Sequence, residues 1–230
     1  MIRTAAGLPL DAASNAAAWN AIAADEQVTG FLPALARFEW TGWPGHGPDV
    51  GILGNLAGAH VAEVGCGTGE HAAYLAHRGP GVVYAVDVAG ARIQQARQRW
   101  QHLPGIEWIA GDAAAALAGL PVLDVCYSVY GALWYSAPDR ILPAVRESLR
   151  PGGLLAFSAN APRPGQMSGR RVDNLTLDRT RLPVIYHTFT APEWHQLLIG
   201  HGFAGIACQT VRDPAGGSHE TLVITACRPC

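Results

Sequence analysis

From residue 60 onward, short apolar segments alternate with helix-like segments, and this alternation constrains the fold more than any other feature of the chain. The apolar segments are almost continuously hydrophobic, which is typical of parallel strands in a sheet covered on both faces. Strands that alternate with helices indicate βαβ units. The sequence therefore predicts a doubly wound α/β domain whose first five strands are residues 60–64, 81–86, 106–109, 122–127 and 154–158.

The rest of the chain is predicted to cover and extend this domain. Residues 11–27 are rich in alanine and predict a helix within an N-terminal cap of residues 1–58, which precedes a domain of residues 59–230. Residues 160–188 are rich in Pro, Gly and Arg and are expected to form an irregular insertion. Thr190 is placed to cap a helix, and the turn at residues 214–217 predicts an antiparallel hairpin of strands 204–211 and 221–226.

A glycine turn follows the first predicted strand and has the pattern GxGxG over residues 65–69. Glycine at such a turn lets the backbone approach a ligand at the start of a helix. A dinucleotide-binding turn has the spacing GxGxxG, and Glu70 stands where its third glycine would fall. Glu63 precedes the turn by two residues and would repel a pyrophosphate, but it suits a positively charged ligand. The turn therefore argues against a nicotinamide-dependent oxidoreductase.

Two further acids follow the second and third predicted strands. The carboxyl ends of parallel strands meet at one edge of a sheet, where such folds bind ligands. Asp87 is placed to accept hydrogen bonds from both hydroxyls of a ribose, and Asp112 is placed to accept from an adenine amino group. Each acid has a structural alternative, because each could instead cap the helix that follows it.

Composition excludes several classes of enzyme. All 16 residues counted as Lys plus Arg are arginine, so a P-loop lysine and a Schiff-base lysine are both absent. A net charge of −2 disfavours nucleic-acid binding, which usually requires a basic surface. The N-terminal twenty residues lack the apolar core of a signal peptide, and no segment is long enough to span a membrane. We expect a cytoplasmic monomer or homodimer with neither a nucleic acid nor a membrane as partner.

Taken together, the motifs resemble those of class I S-adenosylmethionine-dependent methyltransferases over roughly residues 50–227. The resemblance implies a Rossmann-like, seven-stranded, mostly parallel sheet with one antiparallel strand, helices on both faces and an N-terminal helical lid. It also implies S-adenosylmethionine as cofactor, S-adenosylhomocysteine as product, and no metal. The segments that carry the resemblance are VAEVGCGTGE, VVYAVD, AGDA, LDVCYSVYGALWY and LRPGGLLAFS.

The resemblance also implies a role for individual residues. Gly65, Cys66 and Gly67 would line the methionine part of the cofactor, and Ser128 would lie against its tail. The glycines could alternatively serve only the conformation of the turn, and Cys66 is read as a small spacer rather than a nucleophile. The complete set of expected cofactor contacts is Glu63, Gly65, Cys66, Gly67, Asp87, Val88, Asp112, Ala113 and Ser128.

The acceptor of the methyl group is less well defined by the sequence. Aromatic residues of the N-terminal segment, the fourth strand and residues 160–188 suggest an apolar or aromatic small molecule of specialised metabolism. The alternative for each ring is core or lid packing. The expected pocket residues are Trp19, Trp134, Tyr135 and Tyr186.

Three residues are candidates for catalysis. His187 and His46 are considered as general bases because histidine titrates near neutral pH, and Tyr130 could touch the acceptor. Both histidines could instead be hydrogen-bonded loop residues. No group of His, Cys and acidic residues has metal-ligand spacing, so no metal is expected.

The sequence is also compatible with other functions. Arginine side chains could bind an anionic acceptor, and several of them crowd the 160–188 segment, although a solvated loop is the favoured interpretation of this cluster. A non-catalytic, methyltransferase-like cofactor-binding subunit and a macromolecular acceptor are further alternatives. Transfer to O, N or C is not decided. The arginines in question are Arg163, Arg170, Arg171, Arg179 and Arg181.

Overall fold

The computed structural model describes residues 8–29 and 34–230, and within these ranges it contains a large sheet and a separate hairpin. The predicted strands are confirmed with shifts of a few residues at their ends, and β5 begins earlier than expected. The strands are β1 (His60–Val64), β2 (Val82–Asp87), β3 (Ile106–Ala110), β4 (Leu123–Val129), β5 (Leu149–Asn160), β6 (Gly169–Leu177), β7 (Thr180–Thr188), β8 (Ala204–Arg212) and β9 (Glu220–Cys227).

Seven strands form one sheet in the order β3-β2-β1-β4-β5-β9-β8. Strands β1 to β5 pair in parallel, and β9 runs antiparallel to both of its neighbours, β5 and β8. The predicted sheet with one antiparallel strand is therefore confirmed. The strand order reverses between β1 and β4, and such a reversal opens a crevice at the carboxyl ends of the strands.

Helices cover both faces of the sheet, as the continuously apolar strands predict. One buried cluster contains Phe157 and Trp194, and another contains Trp40 and Tyr127. Thr190 caps the last helix in a capping box with Glu193, as expected. The helices are α1 (Leu10–Thr29), α2 (Glu70–Ala76), α3 (Gly90–Arg99), α4 (Ala113–Leu117), α5 (Ala132–Tyr135), α6 (Pro138–Ser148) and α7 (Ala191–Gly200).

The 160–188 segment is not irregular, because most of it forms the antiparallel hairpin of β6 and β7. The two residues of its turn, Asp178 and Arg179, have φ values of 43° and 67°. Positive φ at both central positions is the geometry of a tight two-residue hairpin turn, usually formed by Asn-Gly or Asp-Gly. The Asp-Arg pair lacks that signature, so composition alone suggested a loop.

Helix α1 lies on the hairpin and is tied to it by side chains. Asn15 donates to the carbonyl of Ile185 at 2.8 Å and accepts from its amide at 2.7 Å. Arg170 of β6 donates two hydrogen bonds, of 2.9 and 3.0 Å, to Asp11. We call α1 together with β6 and β7 the cover.

The division into a cap of residues 1–58 and a domain of residues 59–230 stays a prediction. Residues 1–7 and 30–33 of that cap lie outside the described residues. Among the helices in the described ranges, none has the length and apolar character needed to cross a membrane.

Candidate cofactor and acceptor site

A cavity of about 360 Å³ lies at the carboxyl ends of the central strands, where the strand order reverses. Its wall combines the glycine turn and all three predicted acids with residues of α1 and α5. Every expected cofactor contact except Ser128 lies in this wall. These residues are Glu63, Gly65, Cys66, Gly67, Asp87, Val88, Asp112 and Ala113.

The glycines of the turn serve two different purposes. Gly65 has a φ of 82°, and a Cβ there would collide with the backbone of Gly131 and Ala132 at the start of α5. Gly67 has a φ of 54°, and a Cβ there would meet nothing within 4 Å. Gly65 therefore permits close packing of backbone, whereas Gly67 leaves open space on the cavity side that a ligand can occupy.

Asp87 holds the glycine turn in place. Its carboxylate accepts hydrogen bonds of 2.8 Å from the amides of Gly67 and Ala89. Burial raises the pKa of Asp87, while these two hydrogen bonds oppose that shift. Asp87 reaches the N-cap residue of α3 through a backbone amide, so it supports both the turn and the helix start. Contact with a ribose stays a prediction.

Glu63 lies in the cavity wall and is buried, with 1% of its surface exposed. Tyr127 donates a hydrogen bond of 2.9 Å from Oη to Oε2 of Glu63. Burial raises the pKa of Glu63 well above its usual range, and the hydrogen bond from Tyr127 counteracts this only partly. A positively charged group bound nearby would favour the ionised form of Glu63.

Asp112 caps helix α4, which is the structural alternative that the sequence allows for this residue. It accepts from the amide of Ala115 at 3.1 Å in the first turn of α4. Its carboxylate also forms an ion pair with Arg140 of α6. The side chain still lies in the cavity wall, so its contact with adenine stays a prediction.

Ser128 differs from expectation, because its side chain is fully buried and lies behind the cavity wall. The hydroxyl donates to the carbonyl of Val64 at 2.7 Å and accepts from the amide of Leu133 at 3.4 Å. Ser128 thereby joins β1, β4 and α5. Gly131 and Ala132, which follow β4, lie in the wall instead.

Two of the four expected aromatic residues line the cavity. The rings of Trp19 on α1 and Tyr135 on α5 lie in the wall, with centroids 5.7 Å apart in an edge-to-face arrangement. Trp134 and Tyr186 are not in the wall, and their ring centroids lie 5.1 Å apart. The centroid of Trp134 is 5.0 Å from that of Tyr135, so these two rings support the wall from outside it.

Among the three candidate catalytic residues, only Tyr130 lines the cavity. Its hydroxyl is 2.5 Å from Oγ1 of Thr221 and accepts from the amide of Gly42 at 3.2 Å. Its φ of 46° is a strained conformation for a residue other than glycine. Tyr130 therefore presents its ring to the cavity, while its hydroxyl connects β9 to the N-terminal segment.

The two candidate bases lie elsewhere. His187 is buried outside the cavity wall, with Nε2 3.9 Å from Oδ2 of Asp11, and burial lowers its pKa. His46 is exposed and is likewise not in the wall. The geometry of the described residues therefore gives no support to either histidine as a base.

Several residues of the wall were not anticipated from the sequence. Asn15 and Arg92 contribute from α1 and α3, while Glu70 and His71 contribute from the start of α2. A sequence signal existed for the last two, because they directly follow the glycine turn and so belong to the crevice. Asn15 gave no such signal within an alanine-rich helix.

The arginines of residues 160–188 do not contribute to the wall. Arg170 is engaged with Asp11, as described above. Within the described part of the chain, no group of three or more His, Cys, Asp and Glu residues is arranged to bind a metal ion.

Sequence comparisons agree with this geometry. Residues 61–153 match a family model described as a methyltransferase domain. Trans-aconitate 2-methyltransferase of Paracidovorax citrulli (strain AAC00-1) is 33% identical over 120 residues, which are 50% of this chain and 45% of that protein. The chain thus matches less than half the length of this relative.

Solved structures show the same fold. A Burkholderia thailandensis 1,6-didemethyltoxoflavin N1-methyltransferase, crystallised with its acceptor and S-adenosylhomocysteine, is 25% identical with a TM-score of 0.58. The similarity covers 76% of this chain and 72% of that one. The cyclase SpnF is 15% identical, with a TM-score of 0.68, and the similarity covers 96% of this chain and 97% of that one. At this level of identity, the similarity to SpnF shows the fold alone. These similarities support a class I S-adenosylmethionine-dependent methyltransferase.

Proposed function

We propose that the protein transfers a methyl group from S-adenosylmethionine to a small, uncharged acceptor with an apolar or aromatic body. The observation that carries this proposal is the composition of one cavity wall. This wall combines the glycine turn and the acids with Trp19, Tyr130 and Tyr135. A cosubstrate and an acceptor can thus share one cavity.

The residues of the cavity fit S-adenosylmethionine, which supplies a methyl group on a positively charged sulfur. The open space beside Gly67 accommodates a ligand against the backbone. Glu63 is a buried carboxyl group that a positive charge on the ligand would stabilise in its ionised form. Asp87 fixes the turn and would bind the ribose hydroxyls with its remaining lone pairs.

Charge in the cavity wall favours an uncharged acceptor. Arg92 is the arginine that the described wall contains, and its charge favours the ionised form of Asp87. The described residues of the wall therefore offer no surplus of positive charge to an acceptor with several carboxylates. The remaining wall acids, apart from Glu63, are neutralised in the pairs Glu70–Arg99 and Asp112–Arg140.

Among the described residues, the wall contains no cluster of arginines that could bind an anionic acceptor such as trans-aconitate. The five arginines between residues 163 and 181 lie in the β6–β7 hairpin or before it in the chain, and none of them is in the wall. An aromatic wall favours a planar acceptor through ring contacts. We therefore propose a neutral aromatic compound or heterocycle, as the aromatic residues of the sequence suggested.

Methyl transfer from a sulfonium is an in-line displacement that needs little covalent help from the protein. The protein's contribution is to align the two reactants and to exclude water. Trp19 on α1 and the ring of Tyr130 would orient the acceptor, and α1 would close the cavity as part of the cover.

The proposed function is tested by incubating the full chain with methyl-labelled S-adenosylmethionine and matched acceptors. We expect label transfer to neutral hydroxyarenes or N-heterocycles, and little or none to trans-aconitate. Trp19→Ala should reduce transfer, whereas Ile199→Ala, at an exposed position on α7 outside the cavity wall, should not. Preferential labelling of trans-aconitate would contradict the proposed acceptor class. Binding of S-adenosylhomocysteine without transfer to any acceptor would instead favour a non-catalytic subunit.

A further inference from the structure

His71 is the histidine that lies in the described wall of the cavity. It occupies the first turn of α2, directly after the glycine turn that positions the cosubstrate. Its ring packs edge-on against Phe38, with centroids 4.8 Å apart. The ring is therefore held in a fixed position at the boundary between the turn and the N-terminal segment.

One ring nitrogen of His71 has a defined partner. Nε2 lies 2.8 Å from the backbone carbonyl oxygen of Glu39. A carbonyl oxygen can only accept, so Nε2 must carry the hydrogen of this hydrogen bond. In the neutral ring the lone pair then resides on Nδ1, and the tautomer is fixed by the fold.

The other nitrogen is available to the cavity. Nδ1 of His71 has no hydrogen-bond partner among the described residues. It is also absent from the fully buried polar atoms that lack a partner, so Nδ1 is not fully buried. Because the ring lines the cavity and Nε2 is occupied by Glu39, Nδ1 is the nitrogen that an acceptor can reach.

The surroundings of His71 favour its neutral form. Burial lowers the pKa of the ring, and the hydrogen bond to the carbonyl of Glu39 opposes this shift. The carboxylates of Glu70 and Glu39 also oppose it. Phe38 contributes an uncharged ring on the packed side.

We propose that His71 is the general base of the reaction and that the acceptor carries a neutral hydroxyl group. Nδ1 of His71 takes the hydroxyl proton while an oxygen lone pair forms the bond to the methyl carbon. The carbon–sulfur bond breaks with its electron pair returning to sulfur. The products are the methyl ether, S-adenosylhomocysteine and a protonated His71, which releases its proton to water. This inference rests on the proposed function.

The proposal narrows the acceptor class. A carboxylate is already ionised at neutral pH and needs no base, whereas an alcohol or a phenol gains from proton removal as the new bond forms. A base in the wall is therefore useful for a hydroxyl acceptor and superfluous for a carboxylate.

His71 also has a structural role, because its hydrogen bond to Glu39 holds the N-terminal segment. The variant His71→Gln separates the two roles, since the glutamine amide can donate to the same carbonyl but cannot accept a proton. His195→Gln, at an exposed position on α7, is the matched control. The acceptor probes are 2-naphthol and 4-ethylphenol, with the full chain saturated with S-adenosylmethionine.

We expect His71→Gln to lower kcat for the probes at pH 7 by roughly 100-fold or more, the usual contribution of a general base. The ratio of wild-type to variant rates should shrink as the pH rises towards about 10, where a phenol ionises unaided. The affinity for S-adenosylhomocysteine should change less than about threefold, and His195→Gln should behave as wild type. A ¹⁵N spectrum of the ring should show hydrogen on Nε2 and none on Nδ1.

Four results would overturn the proposal. A rate ratio that stays constant with pH would reveal a purely structural effect of the variant. Hydrogen on Nδ1 at neutral pH would leave no lone pair for the acceptor. No transfer to either phenol by a wild-type protein that binds S-adenosylhomocysteine would refute the hydroxyl acceptor. A wild-type protein that does not bind S-adenosylhomocysteine would refute the proposed function itself.

Discussion

Asn15→Ala is the perturbation that tests most sharply how the cover is held over the cavity. The side chain of Asn15 is buried, with 2% of its surface exposed, and it pairs with both backbone groups of Ile185 on β7. It thus imitates a neighbouring strand at the open edge of the hairpin. The alanine variant leaves one N–H and one C=O of Ile185 without these partners.

The expected loss follows from those two hydrogen bonds. An unsatisfied buried backbone group costs about 1–3 kcal/mol, and water reaching the gap would recover part of that. We therefore expect the free energy of opening between α1 and β7 to fall by about 2–3 kcal/mol. Every 1.4 kcal/mol is a factor of ten, so the Ile185 amide should exchange its hydrogen roughly 30- to 150-fold faster.

Hydrogen exchange followed by mass spectrometry of the β7 peptide measures this directly. Ser14→Ala is the matched control, because Ser14 makes a single exposed hydrogen bond of 3.1 Å to the carbonyl of Pro183 on the same strand. It should change the exchange rate severalfold at most. Unchanged exchange at Ile185 in Asn15→Ala, or an equal effect of Ser14→Ala, would refute the role assigned to Asn15.

Three further changes test the site. Asp87→Ala removes the acceptor for the Gly67 amide and should weaken S-adenosylhomocysteine binding by about 1.5–3 kcal/mol in calorimetry. Asp173→Ala, at an exposed position, should leave this affinity unchanged. Equal affinities of the wild type and Asp87→Ala would remove Asp87 from the site. Because the pKa of Glu63 is raised in the folded state, the ligand-free protein should lose stability as pH rises from the ordinary glutamate pKa towards the raised one. Glu63→Gln should flatten this pH dependence and also weaken cosubstrate binding. If the pH profile of urea unfolding is the same in the variant and the wild type, the role assigned to Glu63 is contradicted. Burial raises the pKa of the Cys66 thiol, so iodoacetamide should label exposed Cys230 much faster than Cys66, and rapid labelling of Cys66 in the folded protein would contradict a spacer role.

The sheet and the cofactor side of the site could be predicted because their signals are local. The strands are short apolar runs, and the glycine turn follows the first of them without interruption. A turn between a buried strand and a helix has few conformations, so Gly65, Gly67 and Asp87 could be placed at one edge of the sheet. The structure brings them together in one wall.

The acceptor side could not be predicted because its residues are positioned by contacts distant in sequence. Ser128 follows the same strand as the residues of the wall, but its hydroxyl is directed to Val64 and Leu133. Asn15 and His71 acquire their positions from Ile185 and Glu39, to which no sequence pattern connects them.

The hairpin was concealed for a different reason. Its turn uses Asp178 and Arg179 at positive φ, where glycine is the usual signal, and much of β6 is exposed and polar. A half-exposed hairpin lacks the apolar alternation by which strands are normally identified. Its position beneath α1 also explains why His187 is buried away from the cavity.

Calorimetric titration of the full chain with S-adenosylhomocysteine, and separately with NADH, tests the central claim most directly. The glycine turn, with Glu63 two residues before it and open space beside Gly67, is expected to bind S-adenosylhomocysteine at one site per chain and not to bind NADH. Binding of NADH, with no heat from S-adenosylhomocysteine, would contradict the account.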